Sequence, residues 1–167
     1  MTSTGLVTAS YGTFVYQLDG SASGAPPTTA RQWKYATLTD TWVSIRAIPT
    51  TRIGGAAGVA TVGTNMYVLG VAPNPLVSAT WYGKNEAYNT TTDTWATKAE
   101  MPSDHVRGAV GVKGNKIYVA GGPVSNKLEV YDASTDSWTS STPATSDAQR
   151  RAALCCGFGF SRSHHCP

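Results

Sequence analysis

The chain has 167 residues, the size of one ordinary domain, with 13 Lys plus Arg against 10 Asp plus Glu and a formal net charge of +3. So small and scattered a charge excludes a dedicated nucleic-acid face or membrane-binding patch, and no apolar run approaches the ~18 residues of a membrane span. Hydrophobic residues make up 41% of the chain, and 17 Gly, 8 Tyr, 5 Trp and abundant Thr lean the composition toward strands and turns.

The start, Met1-Thr-Ser-Thr-Gly, has neither the basic nor the apolar region of a secretory signal, so a cytoplasmic location is expected. A first unit runs over about 4–45. It contains Ser10-Tyr-Gly-Thr-Phe-Val-Tyr16, then Tyr35, then Trp42 within Thr-Asp-Thr-Trp. A second unit, about 56–98, repeats the order with Thr61-Val-Gly-Thr-Asn-Met-Tyr67, Tyr88 and Trp95. The third, about 107–140, has Val112-Lys-Gly-Asn-Lys-Ile-Tyr118, Tyr131 and Trp138. Gly12, Gly63 and Gly114 are 51 residues apart in both steps, each with a Tyr four positions later, and every Tyr-to-Trp gap is seven. Such self-similarity marks a repeat architecture, in which each unit is one supersecondary element that buries its apolar surface only against its neighbours.

Each unit reads as a four-stranded antiparallel sheet. In the third, the innermost strand is about Gly108–Lys113, followed by a turn at Gly114-Asn115, two residues that tolerate positive φ. Lys116–Gly121 is the second strand, Leu128–Asp132 the third and Ser137–Ser140 the outer one, reached through a turn at 134–136. Asp40, Asp93 and Asp136 are expected to cap turn amides, and Tyr and Trp to pack between stacked sheets. A fourth unit begins at 151–157, where Arg151-Ala-Ala-Leu-Cys-Cys-Gly157 matches the start of the third. The tail at 158–167 carries no further repeat.

An apolar second strand ending in Gly-Gly, then a Tyr, then a Trp in an outer strand, on a period near 50, resembles the kelch repeat. The resemblance covers about 4–157. It implies an all-β fold of kelch-like β-propeller blades, an incomplete ring of about three blades plus one strand, and the role of a protein-interaction platform. The first two units depart from it: Asp19-Gly20 and Gly70-Val71 stand where the third has Gly121-Gly122, which predicts looser packing at those corners. Closed propellers have about four to eight blades, so three leave a blade face open at each end. Self-association or a partner is therefore expected, with a twofold homodimer closing six blades as one form.

Residues for chemistry are few. The three His are His105, His164 and His165, and no Ser-His-Asp set follows from their spacing, so no catalytic residue is assigned. Glu86 and Glu129, each two before the repeated Tyr, are expected to be structural, with Trp33 in their place in the first unit. Cys155, Cys156, His164, His165 and Cys166 lack the spacing of a zinc finger, and no Gly-rich phosphate loop is present, so neither metal nor cofactor is expected. Asn89-Thr90-Thr91 is a glycosylation sequon read as an ordinary turn.

Two segments lengthen their units without strand pattern, Ser21–Thr29 and Ala72–Tyr82, and loops of this kind carry binding residues. Trp81 and Tyr82 are the candidate partner anchors, with Arg52, His105 and Arg107 as secondary polar contacts. The expected function is a non-enzymatic interaction module. The alternatives are a truncated or structural piece of a larger propeller, and a carbohydrate-binding or carbohydrate-active protein stacking sugar on Trp33 or Trp81.

Overall fold

The computed structural model describes residues 3–4, 7–18, 21–22, 32–50, 58–71, 82–103, 105, 108–121 and 127–141. Among them every regular element is a strand. Blade 1 consists of β2 (Val7–Tyr11), β3 (Phe14–Leu18), β5 (Gln32–Ala36) and β6 (Thr41–Ile45). Blade 2 consists of β7 (Gly58–Val62), β8 (Asn65–Val71), β9 (Tyr82–Asn89) and β10 (Thr94–Thr97). Blade 3 consists of β11 (Ala109–Lys113), β12 (Lys116–Ala120), β13 (Leu128–Asp132) and β14 (Ser137–Ser140). A two-stranded ribbon pairs β1 (Ser3–Thr4) with β4 (Ser21–Ala22). Each blade is a simple antiparallel meander, and β7 lies between the inner strands β2 and β11, so the three sheets stack in chain order. This is the all-β architecture of part of a β-propeller.

The inner hairpins turn at Gly12, Gly63 and Gly114, whose φ values are 58°, 58° and 59°. Only the glycine of each turn pair takes a positive φ; Asn115 does not share it. A second repeated kink sits at the blade corner, where Gly70 and Gly121 both have φ 71°. Gly70 makes the same turn as Gly121, and β8 absorbs it as an irregularity between Leu69 and Val71 in its pairing with β9.

Strand alternation puts successive side chains on opposite faces, and blade 2 buries both faces. Met66 and Val68 join Tyr16, Leu18, Ile45, Ile48 and Tyr88 in an apolar layer between blades 1 and 2. Tyr67 and Leu69, one residue out of phase, join Ile117, Val119, Met101 and Tyr131 in the layer between blades 2 and 3. The core is thus two inter-blade layers. Close approach is enforced at the inner strands, where a Cβ on Gly58 would stand 2.5 Å from Val110 Cγ2. A side chain there would push blade 3 away.

The strand limits of the third unit follow the sequence pattern closely, and the turn at 133–136 joins β13 to β14. The fourth-unit strand expected at 151–157 and the tail at 158–167 lie outside the described residues.

Candidate functional site

The repeated Tyr, Asp and Trp build one joint, used twice. Within each blade the Tyr hydroxyl donates to the Asp of the turn: Tyr35 to Asp40 at 2.8 Å, Tyr88 to Asp93 at 2.9 Å and Tyr131 to Asp136 at 2.7 Å. The three Asp residues have φ of 53°, 52° and 51°, a left-handed conformation that Asp tolerates better than most residues. The Tyr ring leans on the Trp of the next strand with centroids 5.1–5.2 Å apart in all three blades. The register explains this, because β5–β6, β9–β10 and β13–β14 each set Tyr directly opposite Trp.

The same residues then reach back to the preceding blade. Trp95 Nε1 donates to Arg46 O at 2.7 Å, and Trp138 Nε1 donates to Ala99 O at 2.7 Å. Arg46 N donates to Asp93 Oδ1 at 3.0 Å, and Ala99 N to Asp136 Oδ1 at 2.9 Å. Arg46 and Ala99 each stand four residues past the Trp of their own blade. The blade's exit segment is therefore gripped at one peptide by indole and carboxylate together. Asp as a turn-amide cap is accordingly corrected: among the described residues that job falls to Asn89, which accepts from Thr91 N and Thr92 N, and to Asp132, which accepts from Ser134 N. The repeated Asp accepts a hydroxyl and a neighbouring blade's amide instead. Ring contacts complete each joint, Tyr16 on Tyr88 at 5.9 Å and Tyr67 on Tyr131 at 5.5 Å.

Glu86 and Glu129 hold the exit segment four residues further on. Glu86 Oε1 accepts from Thr50 N at 3.1 Å and Thr50 Oγ1 at 2.9 Å. Glu129 Oε2 accepts from Ser103 N at 3.3 Å, and its Oε1 from Ser140 Oγ at 3.2 Å. Thr50 and Ser103 each follow a Pro, so one buried carboxylate per joint receives the amide just after it.

His105 is not the exposed contact its position suggested. It is 2% exposed, with Nδ1 2.7 Å from Gly121 O and Nε2 3.2 Å from Glu129 Oε2. Its ring is used inside the joint because the exit segment turns inward after Pro102. Trp81, Arg52 and Arg107 lie outside the described residues. Tyr82 opens β9, its backbone paired with Val71, and its side chain lies outside those described. Cys155, Cys156, His164, His165 and Cys166 of the tail also lie outside them. The repeated spacing signalled the Tyr, Asp and Trp of the joint; nothing in it signalled the exit peptides at Arg46 and Ala99, which are bound through backbone atoms.

Among the described residues no exit segment meets the Tyr, Asp and Trp of blade 1. Trp42 is 55% exposed and Asp40 is exposed, and neither meets an exit segment among the described residues. Leu38 in the adjoining turn is 80% exposed. At the other end Tyr118, four past Gly114, is partly exposed, whereas its counterparts Tyr16 and Tyr67 are 2% and 3% exposed.

The buried joints shift their ionisable groups. Burial pushes the Tyr88 and Tyr131 hydroxyls well above their usual range, and the carboxylates they donate to push the same way. The N–H of Arg46 holds Asp93 below the ordinary carboxylate range, helped by the Tyr88 hydroxyl and the Arg46 charge. For Asp136 burial opposes ionisation, but the Tyr131 hydroxyl, the Ala99 N–H and the Lys98 charge outweigh it. The raised Tyr groups keep protons that the unfolded chain releases above about pH 10, so stability falls as pH rises past that point. The lowered Asp groups contribute stability that is present above an unfolded pKa of about 3.9 and lost as pH falls through their folded values. Urea unfolding across pH is therefore expected to give a midpoint that is level from about pH 5 to 9 and drops on both sides. In the variant with both Tyr88→Phe and Tyr131→Phe the alkaline drop shrinks.

No family model matches the chain, and no curated protein matches it. Solved structures do match. One described as "Structure of YjhT" superposes with a TM-score of 0.71 at 18% sequence identity, covering 87% of this chain and 53% of that chain. At that identity the likeness establishes a shared fold. The chain spans about half the length of that structure. Among the described residues no helix is long and apolar enough to cross a membrane.

Proposed function

We propose that the chain is a non-enzymatic protein-interaction module of kelch-like blades, completed by self-association or by a protein partner. The observation that carries this reading is the open end of blade 1. Trp42 is 55% exposed there, while the same residue in blades 2 and 3 is packed and hydrogen-bonded to a neighbour. Large exposed aromatic groups beside polar atoms that lack a partner are the usual anchors of protein contacts. The described buried acids and His105 are engaged in holding blades together, which favours presentation over catalysis. A cytoplasmic setting belongs to the proposal, and a net charge of +3 favours protein over nucleic acid as partner.

Within this reading Trp81 and Tyr82 anchor the partner from the segment joining second and third strands, with Arg52 and Arg107 as polar contacts. Quantitative affinity capture with the full chain as bait tests it. Trp81→Ala and Tyr82→Ala are expected to lose retention of a specific protein without changing the unfolding midpoint. Unchanged retention in both variants rejects those anchors. Binding to a glycan panel that Trp81→Ala or Trp33→Ala abolishes would instead establish the carbohydrate reading.

A second reading, a structural assembly piece of a larger propeller, is favoured by one observation: the chain spans 53% of the matched solved structure.

A further inference from the structure

The two grips between blades show what a Tyr–Asp–Trp set of this chain binds. Trp95 Nε1 and Asp93 hold Arg46 by its carbonyl and N–H, and Trp138 Nε1 and Asp136 hold Ala99 in the same way. Two residues after the gripped one comes a buried apolar side chain, Ile48 or Met101, and then Pro49 or Pro102. A cation accompanies each grip: Arg46 Nε donates to Asp93 O at 3.1 Å, and the charge of Lys98, beside Ala99, acts on Asp136. The bound segments thus form one class, a basic residue at or next to the gripped peptide and an apolar–Pro pair shortly after it.

Blade 1 presents the same set to solvent. Tyr35 donates to Asp40 Oδ1 at 2.8 Å and its ring lies 5.1 Å from Trp42, so the set is already assembled. Strand pairing puts Gln17, Trp33 and Ser44 on the same face as Tyr35 and Trp42, and all five are at least partly exposed. Gln17 stands where Val68 and Val119 are 0% exposed, and Trp33 where Glu86 and Glu129 are buried. An amide and a second indole therefore replace the apolar wall and the carboxylate of the other two blades. Among the described residues of this face Asp40 is the one charge, so its field favours a cation.

We propose that this face of blade 1 is a docking site for a peptide segment of a protein partner, one with a basic residue shortly before an apolar–Pro pair. The proposal rests on the interaction reading and names what the partner presents. Trp42 Nε1–H takes the carbonyl and Asp40 the N–H of one peptide residue, and the basic side chain meets the Asp40 charge. Trp33 has no carboxylate to receive the amide after the Pro, and its ring packs on the Pro instead, as aromatic grooves do with proline segments. Because Tyr35, Asp40 and Trp42 are held in place beforehand, little ordering cost is left on the protein side.

Fluorescence anisotropy of a labelled synthetic peptide titrated with the full chain tests the proposal. The probe is Ser-Ile-Arg-Ala-Ile-Pro-Thr, the sequence of residues 44–50. Saturable binding is expected. Trp42→Ala is expected to weaken it at least about tenfold, as loss of an aromatic anchor does. Trp42→Phe keeps a ring and loses the N–H, for an expected weakening of about two- to tenfold. Arg46→Ala or Pro49→Ala within the probe weakens binding to the wild-type chain, and Asp40→Asn in the chain removes the advantage of the probe's Arg. If Trp42→Ala loses its near-ultraviolet circular dichroism, Trp42→Phe is read in its place. No saturable binding overturns the proposal, as does binding that the Trp42 variants leave unchanged or that a scrambled probe matches. A wild-type dimer that takes no probe overturns it in favour of a second copy on this face. Retention of a protein through Trp81 and Tyr82 without probe binding overturns the docking site and leaves the interaction reading in place.

Discussion

Tyr131→Ala is expected to lower unfolding stability by about 3–5 kcal/mol, the range for emptying the site of a large buried aromatic side chain. The residue is 0% exposed and sits at the crossing of three interactions. Its ring lies 5.5 Å from Tyr67 of blade 2 and 5.1 Å from Trp138 of its own blade, and its hydroxyl donates to Asp136 at 2.7 Å. Removing the ring leaves a cavity in the layer shared with Ile117 and Val119. It also frees Asp136, which holds Ala99 N, so the grip on the blade 2 exit loosens as well. Tyr131→Phe separates the two effects. It keeps the ring and loses one charge-assisted hydrogen bond, for an expected cost of about 1.5–3 kcal/mol. Urea unfolding followed by Trp fluorescence measures both. Equal costs for the two variants would show that the ring carries little of the joint, contrary to its packing.

The repeat made most of this fold legible before any coordinate. Period-2 strands, hairpin glycines and seven-residue Tyr-to-Trp gaps are local signals, and local signals survive in one sequence. The paired strand register that sets Tyr131 opposite Trp138 follows from a short turn between them. What remained hidden was anything made by backbone atoms across blades. The Ala99 peptide is held by Trp138 and Asp136 through its carbonyl and N–H, and alanine carries no side-chain signature of such a role. Asp93 and Asp136 were read as local turn caps for the same reason: their second partner comes from another unit. His105 was misplaced because polarity after Pro102 resembles an ordinary surface loop, whereas the chain there turns into the joint and meets Glu129. Glu86 and Glu129 were legible as structural from repetition, but their partners at Thr50 and Ser103 were not.

Glu129→Ala is the second substitution expected to be severe, at about 3–5 kcal/mol, the cost of removing one partner of a buried polar pair. Its carboxylate accepts from Ser103 N at 3.3 Å and Ser140 Oγ at 3.2 Å, and its Oε2 lies 3.2 Å from His105 Nε2. Both Glu129 and His105 have side chains 0% exposed, so water does not replace the lost acceptor without opening the joint. The Ser103 amide and the imidazole would be left facing an apolar layer. Glu129→Gln keeps the side chain's volume and an acceptor oxygen, and is expected to recover part of the loss. His105→Ala in the Glu129→Ala background is expected to cost less than His105→Ala alone, because the ring has already lost its acid partner. A double-mutant cycle read by urea unfolding should give a coupling energy of about 1–3 kcal/mol between the two residues. Additive costs would mean that the 3.2 Å approach carries no energy and that Glu129 acts only through the Ser103 amide and Ser140. Strong coupling would make the carboxylate and imidazole one unit fastening the blade 2 exit to blade 3, the reason a buried acid persists where an apolar residue would pack as well.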